Sequence, residues 1–251
     1  MSDGHLPEIS WPASVLGYDE TLPTPADNLA LEEALLADVE AEPAKACLRF
    51  WEPKEYFVVL GRSNRVETEV NVKACADAGI RIFRRASGGG TVLIGPGCLC
   101  YSLALPITNL HRTLGVGGVT TKLMERIAVA LSQQGPQVEV CGTSDLVWNN
   151  QKFSGNAQRW LKNAFLHQGT LLYDFDLDLL ARCLAFPSRQ PDYRRGRSHR
   201  DFVVNIPLGS VALRKILSET WQARVVDVTA TLRAAATKIT ETRYNSSEWQ
   251  L

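Results

Sequence analysis

The chain has 251 residues, 45% of them hydrophobic, enough to bury a core as one large domain, or as one domain with a small appendage. Lys plus Arg and Asp plus Glu both number 27, so overall charge gives no reason to expect nucleic acid or an anionic membrane as a partner. No apolar run approaches a membrane span, and the opening Met-Ser-Asp-Gly-His-Leu-Pro lacks the basic and apolar regions of a signal peptide; the expectation is a single-domain cytoplasmic protein.

In chain order, Asp27 is placed to cap a helix whose apolar positions Leu29, Leu31, Leu35, Leu36 and Val39 recur at helical spacing before Pro43. Residues 48–51 and 56–60 read as strands around a turn at 52–55, a helix-then-hairpin entry. A helix over 67–78 stops at Gly79, and the strand 80–84 runs into Arg84-Arg-Ala-Ser-Gly-Gly-Gly-Thr-Val92. Because 91–94 and 99–105 favour β structure, this glycine run joins strand to strand. That argues against a nucleotide loop of the strand-to-helix kind. A helix over 120–134 follows, then short strands at 138–140, 146–148 and 165–173. Helices at 177–184, 211–222 and 228–239 close the chain, with an irregular arginine-rich stretch at 186–205 between the first two.

Two segments carry the chemistry. Glycines let backbone N–H groups approach a phosphate or carboxylate without interference from a Cβ, and Arg84, Arg85, Ser87, Gly88, Gly89 and Gly90 form such a corner. A tight strand connection is the structural alternative for the same glycines. Lys152, between Asn149-Asn-Gln151 and the small-residue turn Ser154-Gly155-Asn156-Ala157, suits a cation that holds negative charge developing on an acyl carbonyl or phosphate. A solvated hairpin lysine is the plainer reading. Asp145 is a candidate to bind Mg²⁺, to orient Lys152 or to cap the turn. His167 reads either as a core histidine or as a site residue beside Gly169.

The six cysteines form no metal-type double pair and suit reduced thiols, although Cys98-Leu-Cys100 has chelating spacing. Cys141 reads as a buried inert thiol or, near Lys152, as a thiolate with a lowered pKa. The cluster Arg189, Arg194, Arg195, Arg197 and Arg200, with Tyr193 and His199, reads as a solvated loop or as a contact for nucleotide phosphates, an acidic carrier protein or RNA.

With these residues in view, the chain resembles the lipoate–protein ligase family, within the superfamily shared by biotin–protein ligases and octanoyltransferases. The resemblance rests on seven ordered motifs. They are Asn28-Leu-Ala-Leu-Glu-Glu33, Val58-Val-Leu-Gly-Arg-Ser-Asn64, Arg84-Arg-Ala-Ser-Gly-Gly-Gly90, Gly142-Thr-Ser-Asp-Leu146, Lys152-Phe-Ser-Gly-Asn-Ala157, His167-Gln-Gly-Thr-Leu-Leu172 and Arg243-Tyr-Asn-Ser-Ser-Glu-Trp249.

The resemblance implies an α/β (α+β) catalytic domain: a mixed β-sheet flanked by helices, with the acyl chain in an apolar tunnel beneath the glycine loop and Lys152 on the acyl carbonyl. It implies lipoate and ATP as substrates, with Mg²⁺, a lipoyl-adenylate intermediate, and a lysine of a lipoyl-domain protein as acceptor. Site residues then include Arg84, Arg85, Ser87, Gly88, Gly89, Gly90, Asp145, Ser154, Gly155, Ala157 and His167.

Three departures stand out. Ile94-Gly95-Pro96-Gly97 replaces the family's His-Asp pair after the glycine loop, His167-Gln168 replaces a His-His, and the chain ends soon after Trp249, with no carboxyl-terminal accessory domain. These leave open a ligase acting alone, one that needs a separate accessory chain, or an octanoyl- or lipoyltransferase fed by acyl-carrier protein through Cys141. The spacing around Cys141 does not match cysteine-dependent octanoyltransferases, which favours the ligase. Gly61-Arg-Ser-Asn64 lacks the basic repeat of biotin ligases, and no nucleic-acid or membrane partner is expected.

Overall fold

The computed structural model describes residues 7–187 and 189–251. Its strands are β1 (Val15–Asp19), β2 (Cys47–Trp51), β3 (Phe57–Leu60), β4 (Arg81–Arg84), β5 (Val92–Ile94), β6 (Cys98–Pro106), β7 (Val138–Cys141), β8 (Asp145–Trp148), β9 (Gln151–Ser154), β10 (Asn156–Trp160), β11 (Ala164–Leu172) and β12 (Ala223–Val225). Its helices are α1 (Pro25–Ala41), α2 (Val66–Glu69), α3 (Val72–Asp77), α4 (Asn109–Ser132), α5 (Leu177–Cys183), α6 (His199–Phe202), α7 (Ser210–Thr220) and α8 (Ala230–Ile239).

The central six-stranded sheet runs β10-β11-β6-β2-β1-β12. It is mixed: β1 pairs in parallel with β2 and β12, whereas β6 pairs antiparallel with β2 and β11. Successive strand residues face opposite sides, so β6 sends Cys98, Cys100 and Ala104 toward α1 and Leu99, Tyr101, Leu103 and Leu105 toward α4 and α7. Both faces are covered, which is why β6 reads as a continuous apolar run with no alternation. Two three-stranded sheets, β4-β3-β5 and β7-β8-β9, carry the glycine run and Lys152 respectively.

Several sequence expectations change. No hairpin joins residues 48–51 to 56–60, because β2 joins the central sheet while β3 pairs with β4 and β5. Helix α1 is capped by Thr24, whose hydroxyl accepts from the Asp27 backbone N–H, with Pro25 in the first turn. The expected helix over 67–78 is two short ones: Val70 is extended and bridges Leu184, and Asn71 caps α3. Helix α4 begins at Asn109, its first turns set off by a kink at Gly115. The stretch expected to be irregular contains a 3-10 turn at Asp192–Arg194 and helix α6.

Candidate active site

Arg84 and Arg85 are sequence neighbours with opposite orientations, as extended backbone requires. Arg84 Nη1 donates to the carbonyls of Gly61, Arg62 and Asn64 at 3.3, 3.2 and 2.7 Å, pinning the loop that follows β3. Arg85 turns inward and is 6% exposed. Its Nη2 donates to the Gly88 and Gly90 carbonyls at 2.6 and 2.8 Å, Nε to Ser87 Oγ at 3.0 Å and Nη1 to the Val59 carbonyl at 3.3 Å. Burial lowers its pKa to about 10, and buried Glu32 opposes that shift.

The glycine run is therefore wound around a guanidinium whose donors are spent on the protein. Gly89 has φ +89°, and a Cβ on Gly61 would collide with the Gly89 carbonyl oxygen, so these two positions need glycine for conformation and for close approach. Behind the loop, the terminal segment is strapped to β4 by Trp249 and Leu251 and to α1 by Tyr244 and Arg243, both on Glu33.

Lys152 comes from the β8–β9 hairpin, whose Asn149 and Asn150 both have positive φ, as a two-residue turn of this kind demands. Its Nζ lies 2.7 Å from Asp145 Oδ1, and Asp145 Oδ2 accepts from the Tyr193 hydroxyl at 2.8 Å. Lys152 is 28% exposed at the side chain and Asp145 13%.

The small-residue segment expected to be a turn is instead the passage from β9 to β10, with only Gly155 outside a strand, and it is fastened from below. Asn156 Nδ2 donates to Ser144 O at 2.7 Å and to buried Ser154 Oγ at 3.0 Å, while the Tyr101 hydroxyl donates to Asn156 Oδ1 at 2.6 Å. Ala157 packs under Gly89. A Cβ on Gly155 would meet Lys152 Nζ at 3.1 Å, so the absent side chain leaves room for the ammonium.

A cavity of about 630 Å³ opens between the glycine run and the hairpin. Gly89, Gly90, Lys152 and Gly155 line it, joined by Asn64, Thr68, Thr170 and His199. Its apolar wall comes from Leu93, Phe153, Leu172, Leu180, Leu184 and Val203. One face thus supplies a cation and small residues and the other a slot for an alkyl chain, a combination suited to a carboxylic acid of medium length.

The arginine-rich stretch forms one wall of this cavity through Arg189 and Arg194, while part of it is solvated, as the plainer reading expected. Arg194 is 3% exposed and sits over the rings of Phe186 and Phe202 at 5.0 and 4.7 Å. Arg197 Nη1 donates to Asn150 O at 2.8 Å, and Val204 N donates to Lys152 O at 2.9 Å, which stitches the stretch to the lysine hairpin. Arg195 and Arg200 are exposed. Sequence reasoning did not single out Asn64, Thr68 or Glu69; the usable signal was Gly61-Arg-Ser-Asn64, quoted only as part of a resemblance.

Other sequence candidates fall elsewhere. His167 is fully buried on β11 behind the cavity. Gln158 Nε2 donates to its Nδ1 at 3.1 Å, and its Nε2 faces the Tyr101 hydroxyl at 3.3 Å, a hydroxyl whose proton points to Asn156. Burial lowers its pKa to about 3, so it is a neutral interior histidine. Cys141 pairs with Asp145 across β7 and β8 and is not on the cavity wall. Burial raises its pKa and Glu139 and Asp145 add to the rise, the opposite of an activated thiolate. Among the described residues no group of three His, Cys, Asp or Glu is arranged to hold a metal, and Cys98 and Cys100 are buried free thiols on β6. Both oxygens of Asp145 already have protein partners. No helix among the described residues is long and apolar enough to cross a membrane.

Residues 24–227 match the family model for the lipoyl protein ligase A/B catalytic domain. The chain is 30% identical over 234 residues to the "Probable lipoate-protein ligase A" of Mycoplasma genitalium, covering 90% of this chain and 68% of that one. It spans about half the length of another relative, the lipoate-protein ligase LplJ of Bacillus subtilis, at 54%. Among solved structures, the fold is similar to that of a lipoate-protein ligase A bound with ATP, with TM-score 0.79 at 22% identity over 96% of this chain and 98% of that one. It is equally similar to a structure from a study of the bipartite lipoate protein ligase of Thermoplasma acidophilum and its E2 lipoyl domain, with TM-score 0.79 at 24% identity over 94% and 96% of the two chains.

Proposed function

Because the chain belongs to the lipoyl protein ligase A/B catalytic domain family, we propose that it is a lipoate–protein ligase. It activates lipoate with Mg-ATP to lipoyl-adenylate and passes the lipoyl group to a lysine of a lipoyl-domain acceptor in the cytoplasm. The observation that carries this reading is Lys152, presented beside Gly89, Gly90 and Gly155 at a cavity with an apolar wall. The apolar wall takes the acyl chain and leaves its carboxyl group at the ammonium. Fixed there, Lys152 stabilises charge that develops on the acyl carbonyl and phosphate oxygens without reorganising. With both Asp145 oxygens engaged by Lys152 and Tyr193, a nucleotide-borne Mg²⁺ would be held by phosphate oxygens and water and would supply charge neutralisation there. Asp145 serves chiefly to orient Lys152.

A purified lipoyl domain incubated with this protein, lipoate and Mg-ATP should gain the lipoyl mass, and the gain should vanish without ATP. Failure to gain mass would defeat a self-sufficient ligase, and the same assay with octanoyl-carrier protein or a separate accessory chain would then identify the donor or the missing part. The raised Cys141 thiol removes the support for a covalent acyl-thioester, so Cys141→Ser should transfer at the wild-type rate; a block would restore the transferase.

A further inference from the structure

His199 lies on the cavity wall at the start of α6, just after its cap Ser198. Its Nε2 is 3.0 Å from the Ala185 carbonyl oxygen. A carbonyl oxygen only accepts, so Nε2 carries the proton, and in the neutral ring Nδ1 is left as a bare acceptor. Among the described residues no donor engages that nitrogen. Burial lowers the pKa of the ring; the Ala185 contact works against this, and the charges of Arg194 and Lys152 add to the lowering. The half-buried imidazole is therefore neutral near pH 7, beside the lysine that holds the acyl group.

Transfer needs such a group. The acceptor is a lysine with an ordinary pKa of about 10.4, so at neutral pH roughly one amine in a few thousand is free to attack. Lys152 and Arg194 are cations, both oxygens of Asp145 are engaged, and Glu69 on the wall also has a partner. We propose that His199 is the general base of the transfer half-reaction, taking a proton from the ε-ammonium of the acceptor lysine on its Nδ1. The amine lone pair then forms the C–N bond at the acyl carbon, the C–O bond to phosphate breaks, and AMP leaves with that electron pair. The second ammonium proton passes to solvent as the amide forms, and the imidazolium returns its own proton to solvent. This inference rests on the ligase reading, and supplying the intermediate separates the two.

The experiment is single-turnover transfer from synthetic lipoyl-adenylate to an E2 lipoyl domain, with His199→Gln and His199→Asn compared to wild type. Transfer should fall about 100-fold or more, the scale of a lost general base. Adenylate formation from lipoate and Mg-ATP, read as pyrophosphate release, should stay within about threefold. Hydroxylamine, an amine already uncharged at neutral pH, should capture the acyl group equally from variant and wild type. The variants' transfer rate should climb about tenfold per pH unit as the acceptor lysine deprotonates by itself, whereas wild type levels off above the histidine pKa. Unchanged transfer, equal loss in both half-reactions, or loss confined to Glu69→Gln, another carboxylate on the wall, would overturn the proposal. If wild type releases no pyrophosphate yet uses the supplied adenylate, the ligase reading fails while His199 remains tested.

Discussion

The glycine run and the lysine hairpin face one cavity, and each is built around a cation, but the two cations do different work. Arg85 is 6% exposed and spends its donors on four acceptors of its own chain. Lys152 is 28% exposed at its side chain and answers to one carboxylate, itself steadied by Tyr193. A buried guanidinium with every near acceptor internal shapes a loop. A partly open ammonium with one tether can exchange part of that tether for a ligand oxygen at little desolvation cost.

Lys152→Ala breaks the comparison most sharply on the functional side. Lipoyl transfer should fall by about 10²–10³-fold, the scale of a lost charge-stabilising donor, with a smaller loss of stability than in the Arg85 variant below, because Lys152 is partly exposed and Asp145 keeps the Tyr193 hydroxyl as a partner. Arg85→Met should do the reverse. It strands the carbonyls of Val59, Gly88 and Gly90 and removes a partner of buried Glu32, a loss of about 3–5 kcal/mol measurable by denaturant unfolding.

Two glycine substitutions sharpen the same contrast. Gly89→Ala forces φ +89° on an L side chain and presses on Arg85 Nη2, so it should cost about 1–3 kcal/mol of stability. Gly155→Ala meets only the flexible tip of Lys152; it should leave stability within about 0.5 kcal/mol and lower transfer by displacing the ammonium, an effect of about tenfold or 1.4 kcal/mol. Equal stability losses in the two variants would mean that the hairpin is as rigid as the loop.

How much of this was legible depended on how local the cause is. The strand-to-strand setting of the glycine run and the short turn before Lys152 are encoded within a few positions and could be read directly, whereas the turn expected at Ser154-Gly155-Asn156-Ala157 is strand on either side of Gly155, where the chain passes from β9 to β10. The hairpin expected at 52–55 failed because strand partners are chosen across the whole chain: β3 finds β4 and β5, with Phe57 paired to Arg81 and to Ile94. Helix α4 was read short because the Gly115-Val-Gly-Gly118 cluster hides its first turns from a propensity argument.

The amino-acid sequence alone was sufficient to mark a glycine corner, a lysine after a tight turn, and an ordered motif set that placed the chain in its family. Tertiary structure alone decided which of those groups can act. Arg84 and Arg85 diverge by strand alternation, His167 is sealed among Tyr101 and Gln158, the Cys141 thiol is pushed up by burial and two carboxylates and lies off the cavity wall, and His199 and Arg194 are carried from an arginine-rich stretch onto that wall. Turn geometry depends on neighbours in sequence, whereas burial, hydrogen-bond partners and proton affinity depend on neighbours in space, and those come from elements tens of residues away.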